Sequence, residues 1–213
     1  MHSGMDGPGT RRRPAPEVAA YRKGIPVRHL VAALLLFAWA LPGPTSLRAA
    51  PSLAALNIRT GDVPPGLLLY ASRVLTPARW DATQHDAAGT AAVSGMVGIS
   101  FEIFYVGSVA RHALVGLVAR YASAATARLA YGRIVAPIAK AHAAGGRPLA
   151  AAGLGEERYG FIDPASPAAG AALYFRRGGY VASVGIQGYT TLLSPALVVR
   201  LAGIVDGRIR RAR

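Results

Sequence analysis

Two glutamates stand side by side at Glu156 and Glu157, directly after Gly153-Leu154-Gly155. Adjacent carboxylates beside flexible glycines can hold a metal ion or divide acid and base work between them. A metal needs further ligands, and only Asp163 lies nearby, so no metal site is assigned. The competing expectation is a turn that enters a strand and leaves both glutamates in water. A second chemical pair, Arg176-Arg177, precedes Gly178-Gly179. Two guanidinium groups there could receive an anion, or stand solvated at a hairpin tip. His112 follows Arg111 in a loop between two apolar runs. Glu156, Glu157, Arg176, Arg177 and His112 are therefore the candidate ligand-binding residues, and none is assigned a catalytic role.

Several chemistries are excluded or unsupported. The chain has no cysteine, which removes disulfides, thiolate metal sites and cysteine nucleophiles. His85, His112 and His142 share no metal-ligand spacing, and no His-Glu-x-x-His occurs. Ala92-Val93-Ser94-Gly95 lacks the first glycine of a nucleophile elbow. Gly153-Leu154-Gly155 lacks the third glycine of a dinucleotide fingerprint. No cofactor is expected. Trp80 and Tyr105 read as core anchors, because aromatic residues make up only 8% of the chain.

The formal charge is +14, carried mostly by arginine. A basic surface attracts polyanions, which makes anionic lipid or cell-wall polymer a candidate partner. Nucleic acid is not favoured, since aromatics for stacking are sparse.

These groups need an address and a scaffold. Leu30 to Leu41 is an unbroken apolar run, preceded by Arg22, Lys23 and Arg28 and ended by Pro42-Gly43-Pro44. Small residues follow at Ala49-Ala50. Basic flank, short apolar core, breaker and small residues form the pattern of a secretory signal. The run is short of the ~20 residues a spanning helix needs. Residues 27–49 are thus expected to be a signal peptide cleaved near Ala49, releasing a secreted or extracytoplasmic domain. A retained signal would leave an anchored form. Residues 1–26, rich in Gly, Pro and Arg, read as a disordered basic leader, and initiation at Val27 would give a more compact signal. Residues 50–66 are expected to be a linker and 67–211 a single domain.

Within that domain Leu67–Val74 reads as a strand, and Thr76-Pro77 opens a helix to about Asp86 through a hydroxyl cap and a first-turn proline. Gly98–Val106 and Leu114–Tyr121 alternate as a strand pair. Ser123 caps an alanine-rich helix to His142, with Ala127, Ala130, Ile134 and Ile138 on its apolar face and a kink or restart expected at Pro137. Gly153–Ile162 supplies a strand. Leu173–Phe175 and Tyr180–Ile186 form a hairpin around the Gly-Gly turn. Ser194-Pro195 opens a last helix to about Arg210, with Leu197, Leu201, Ile204 and Val205 on one face. The order is β-α-β-β-α-β-β-β-α, an α+β fold with a mainly antiparallel sheet and about three helices, expected on one face.

Asp62-Val63-Pro64-Pro65-Gly66, Phe101-Glu102-Ile103-Phe104-Tyr105, Tyr121-Ala122-Ser123-Ala124-Ala125, Leu154-Gly155-Glu156-Glu157, Phe175-Arg176-Arg177-Gly178 and Val181-Ala182-Ser183-Val184 recur in that order in another group of sequences. On these motifs, spanning about residues 62–211, the chain resembles uncharacterised secreted bacterial α+β proteins. Those are broadly similar to the extracytoplasmic sensor-type domains of bacterial kinases and lipoproteins. Members of the group carry Gly-Asp-Glu-Ser where this chain has Gly155-Glu156-Glu157-Arg158. The resemblance implies a fold and an extracytoplasmic address, and carries over no catalytic residue. The resulting expectation is a non-enzymatic, sensor-like module that binds a small molecule or envelope component between the sheet and the long helix. The alternatives are a secreted hydrolase using Glu156 or Glu157, and arginine-mediated attachment to anionic lipid or cell-wall polymer.

Overall fold

The computed structural model describes residues 52–81, 93–143, 145–164 and 169–213. The expected leader and signal, residues 1–49, and the far end of the helix expected to reach Asp86 lie outside the described residues. A short helix, α1 (Leu53–Leu56), and a 3-10 turn (Thr60–Asp62) lead into β1 (Leu68–Leu75) and α2 (Pro77–Asp81). Next come β2 (Met96–Tyr105), β3 (Ala113–Tyr121) and the long helix α3 (Ala124–His142). The chain closes with β4 (Arg147–Pro148), β5 (Glu157–Asp163), β6 (Gly170–Arg177), β7 (Tyr180–Gln187) and α4 (Pro195–Arg211). The strands form one seven-stranded sheet in the order β1-β2-β3-β7-β6-β5-β4. Every pairing is antiparallel. The α+β class and the element order are those expected, with α1 and β4 added.

The capping logic holds at both long helices. Ser123 Oγ accepts from the Thr126 N–H at 3.1 Å, and Ser194 Oγ accepts from Leu197 N–H at 3.3 Å. Each thus satisfies one of the unpaired donors of a first helical turn. The restart expected at Pro137 does not occur, since α3 runs through it as one element. The carbonyl that loses its partner there belongs to Arg133, an exposed residue whose backbone water can serve.

The helices do not share one face of the sheet, as the sequence led us to expect; they cover both. α4 and α1 pack over Phe104, Leu114, Val118, Leu173, Phe175, Val184 and Ile186. α3 and α2 pack over Phe101, Ile103, Val115, Phe161, Tyr174 and Val181. The central strands dictate this. Along β2 and β6 both alternating sets of side chains are mostly apolar and buried, so neither face can be left to water.

The expected linker, 50–66, is also corrected. From Ser52 onward it is part of the fold, with Leu56, Asn57 and Ile58 all buried. Asn57 explains why. Its side-chain amide donates to Ser100 O at 3.2 Å, to Ser100 Oγ at 3.3 Å and to Gly116 O at 3.0 Å, while its Oδ1 accepts from Ile58 N–H at 2.8 Å. The approach needs a glycine on β3. A Cβ at Gly116 would sit 2.5 Å from Asn57 Oδ1 and 2.7 Å from Ile58 Cδ1. Asp62 then binds Arg208 of α4 in a forked pair, at 2.7 and 2.8 Å. Arg208, in the last turn of α4, thereby fastens this segment down. Burial pushes the Asp62 carboxyl up, but Arg208 and the Arg59 N–H outweigh it and hold the group below the ordinary aspartate value.

Candidate functional site

The Gly153–Glu157 turn delivers its two glutamates to the start of β5, opposite Arg176 on β6. Arg176 is the hub of that corner. Its Nη2 meets Glu156 Oε2 at 2.8 Å and Glu157 Oε1 at 2.9 Å, its Nε reaches Glu157 Oε1 at 3.0 Å, and its Nη1 donates to Gly178 O at 3.1 Å. Arg213 adds a contact to Glu156 at 3.0 Å and Arg128 of α3 one to Glu157 at 2.9 Å. Gly178 N–H also donates to Glu156 at 3.1 Å. Burial tends to raise the Glu156 carboxyl, but this N–H and the arginines prevail and lower it. A carboxylate held ionised by so many donors is poorly suited to give or take a proton.

Neighbours along a strand point to opposite faces, and that separates Arg177 from Arg176. Arg177 grips Asp206 of α4 through two bonds, at 2.5 and 2.9 Å, and the Asp206 side chain is only 3% exposed. His112 lies at the other end of the sheet, beside Ala113, which pairs with Gln187. Counting along β7, that is roughly 26 Å from the Gly178-Gly179 tip. His112 Nδ1 is buried without a partner among the described residues. The structure therefore unites Glu156, Glu157 and Arg176, puts Arg177 on the opposite face, and leaves His112 far from both.

A different carboxylate has the surroundings of a site. On β2, Ser100, Glu102 and Phe104 face the α4 and α1 side, while Phe101 and Ile103 face α3. Glu102 is 4% exposed. Ser72 of β1, its register partner, donates to Glu102 Oε1 at 2.9 Å. No cation reaches the carboxylate among the described residues, and burial pushes its pKa up to about 7, against the smaller opposing effect of Ser72. Glu102 and Ser72 line a cavity of about 370 Å³ whose other walls are Ala54, Ala55 and Ile58 from above and Leu69 and Phe104 from the sheet. Arg59 and Thr60 complete the lining, and the Arg59 guanidinium donates to the Ala55 carbonyl.

No known family model matches the chain, and no curated protein matches it in sequence. One solved structure is similar. It is the crystal structure of the extracellular domain of PknH from Mycobacterium tuberculosis, 11% identical, with a TM-score of 0.49. The match covers 77% of this chain and 97% of that one. At that level the likeness does not bear on ligand or chemistry.

A second cavity, about 200 Å³, lies where α3 ends over β4 and β5. His142 forms its wall, stacked on Phe161 with ring centroids 3.7 Å apart, and its Nδ1 is 3.9 Å from Asp163. Burial lowers the His142 pKa and Asp163 opposes that. The larger cavity is thus on the face away from the long helix. Glu102 carried one sequence signal. It is the only charged residue in the apolar run Gly98–Val106, and in a strand covered on both faces such a residue has to be buried. Among the described residues no group of His, Asp and Glu could hold a metal ion, and no helix is long and apolar enough to cross a membrane.

Proposed function

We propose that this domain is a non-enzymatic binding module and that its ligand occupies the cavity between α1 and the β1–β2 edge of the sheet. The observation that carries this reading is Glu102, a buried carboxylate with no ion-pair partner among the described residues, lining a cavity with Ala54, Ala55, Ile58, Leu69 and Phe104 beside Ser72, Arg59 and Thr60. Small-molecule sites have this composition, apolar walls with a few placed polar groups, and a volume of about 370 Å³ falls within their range. A group that titrates near neutrality could also move protons. Yet the lining offers no second acid or base, and its one hydroxyl side chain near Glu102, Ser72, already donates to it. Binding is the simpler use of the site. The export pattern of residues 27–49 supports an extracytoplasmic address for it.

The experiment is a fragment titration followed by backbone amide NMR. Binders should shift the amides of Ala54, Ile58, Leu69 and Phe104, and a bulky Ala55→Trp replacement that fills the cavity should abolish those shifts. Responses confined to Glu156, Arg176 and Gly178, or untouched by Ala55→Trp, would refute the assignment of the site.

A further inference from the structure

We infer that the cavity selects a small amphipathic amine, whose ammonium group pairs with Glu102 and whose apolar body lies between α1 and Leu69. This rests on the binding reading above and adds the chemical class of the ligand to it.

The lining argues for it in three steps. Glu102 is the only carboxylate in the cavity lining given by the described residues, where Ala54, Ala55, Ile58, Leu69 and Phe104 supply the apolar surface and Ser72, Arg59 and Thr60 the remaining polar groups. Ser72 supplies its single hydrogen bond among the described residues, to Oε1, and the carboxylate can accept several more. A buried carboxylate is costly unless a cation or donors compensate it, and an ammonium brings both the charge and the donors.

Among the described residues no cation forms an ion pair with this carboxylate, although Arg59 lines the same cavity. Ser72 of β1 is neutral, and the register partner on β3 is Gly116. Asn57, above them, spends its amide on Ser100 and Gly116. Arg59 is the only other charged residue in the lining, and it is exposed with its guanidinium turned to Ala55 O. Asp62 and Arg208 on the adjoining turn and helix are engaged with each other. At the opposite corner, by contrast, every glutamate meets an arginine. The charge that would neutralise Glu102 is thus left for a ligand to supply.

The walls set the rest of the molecule. Two alanines, Ile58, Leu69 and Phe104 form their apolar part, with Ser72, Arg59 and Thr60 beside it, so a short hydrocarbon body suits the apolar part better than a polyol does. An alkylamine stays protonated across the range in which Glu102 titrates. Its affinity should therefore follow the ionised fraction of Glu102, rising with pH to about 7 and levelling above it.

The test uses the full chain with n-hexylamine, n-hexanol and hexanoate as probes, titrated by amide NMR at pH 8.0 and at pH 5.5, each pH being about 1 to 1.5 units from the Glu102 value. At the higher pH hexylamine should bind about tenfold or more tighter than hexanol, and hexanoate weakest, as expected when one buried charge pair is gained or opposed. At the lower pH hexylamine should lose about tenfold or more, since affinity falls about tenfold per unit below the carboxylate's value, while hexanol stays constant. Glu102→Gln should bring hexylamine down to the level of hexanol. If hexanol equals hexylamine, or hexylamine binding survives Glu102→Gln, the amine inference fails while the cavity reading stands. Preference for hexanoate would equally overturn it, pointing to Arg59. If none of the three probes shifts the cavity amides, both readings fall. Should Glu102→Gln not fold, the pH series on the unaltered chain decides alone.

Discussion

Two corners of the sheet handle glutamate in opposite ways. At the β5–β6 corner, Glu156 and Glu157 share Arg176, Arg213 and Arg128, and the Gly178 N–H closes the set. At the β1–β2 edge, Glu102 is more deeply buried and has one serine. The glutamates that look chemical in sequence, paired beside glycines, are consumed by structure. The one that looks incidental, inside a strand, keeps unused bonding capacity. Buried charge is costly unless paired, so unused capacity in a buried carboxylate is the better indicator of a ligand. The contrast makes opposite predictions for the two regions.

The largest loss is expected on the paired side. Arg177→Met should destabilise the fold by about 3 kcal/mol, because it leaves Asp206 buried with only the longer contact to Arg210, at 3.7 Å. Urea unfolding at neutral pH measures this. A cost under 1 kcal/mol would mean that the fork to Asp206 is balanced by its own desolvation. Double replacement Arg177→Met with Asp206→Leu should recover most of the loss, since it removes the charge along with its partner.

Asn57→Ala comes next, at about 2 kcal/mol. It frees the Ser100 and Gly116 carbonyls of a buried donor and loosens α1 over the cavity. The same unfolding experiment applies, with the added expectation that ligand-induced shifts at Ala54 and Ile58 broaden. If stability falls but those shifts are unchanged, α1 is held by Arg208 and Asp62 rather than by Asn57.

The open side should respond with the opposite sign. Glu102→Gln removes a charge that burial penalises, so at pH 8 it should stabilise the free protein by about 2 kcal/mol. The pH window follows from the raised value. Above about 7 the carboxylate is ionised in both folded and unfolded chains, and the whole penalty is present. As pH falls from about 7 toward the ordinary glutamate value of 4.5, the folded chain takes up a proton first, so the native protein gains stability. Below that range the variant and the native protein should converge. A variant that destabilises at pH 8 would mean that Glu102 has a cation the described residues do not include.

These contrasts also mark what could be read in the sequence. The strands of the core were legible, because Phe101, Ile103, Tyr174 and their neighbours follow the two-residue period and Ser123 and Ser194 announce their helices. The two-sided covering is harder to read, because a short apolar run such as Leu173–Phe175 marks a strand without saying what covers each face. The segment before β1 was missed for a related reason. Asp62-Val63-Pro64-Pro65-Gly66 does turn as its prolines suggest, but Asn57 becomes a core residue only through carbonyls 43 and 59 positions away. That Glu156 and Glu157 meet Arg176 could not be read from the sequence, because it depends on the register between β5 and β6. Glu102 needed the third dimension, since its importance lies in what does not surround it.

The smallest effect tests how redundant the paired corner is. Arg213→Ala removes one exposed contact to Glu156, and the side chains concerned are 48% and 38% exposed. Solvent screens such a pair, so the loss should be under about 1 kcal/mol at neutral pH. Arg176 and the Gly178 N–H remain, and Glu156 should stay ionised at neutrality. Its lowered carboxyl favours the folded chain above the ordinary glutamate value, and that contribution fades as pH falls through the lowered one. The difference between Arg213→Ala and the native protein should therefore vanish at acid pH, and the Glu156 midpoint, followed by side-chain carboxyl NMR, should move up toward the ordinary value. A midpoint that does not move would assign the whole lowering to Arg176 and Gly178. A loss well above 1 kcal/mol would instead make Arg213 a structural member of the corner. Either result leaves Glu102 unaffected, because no described arginine connects the two regions.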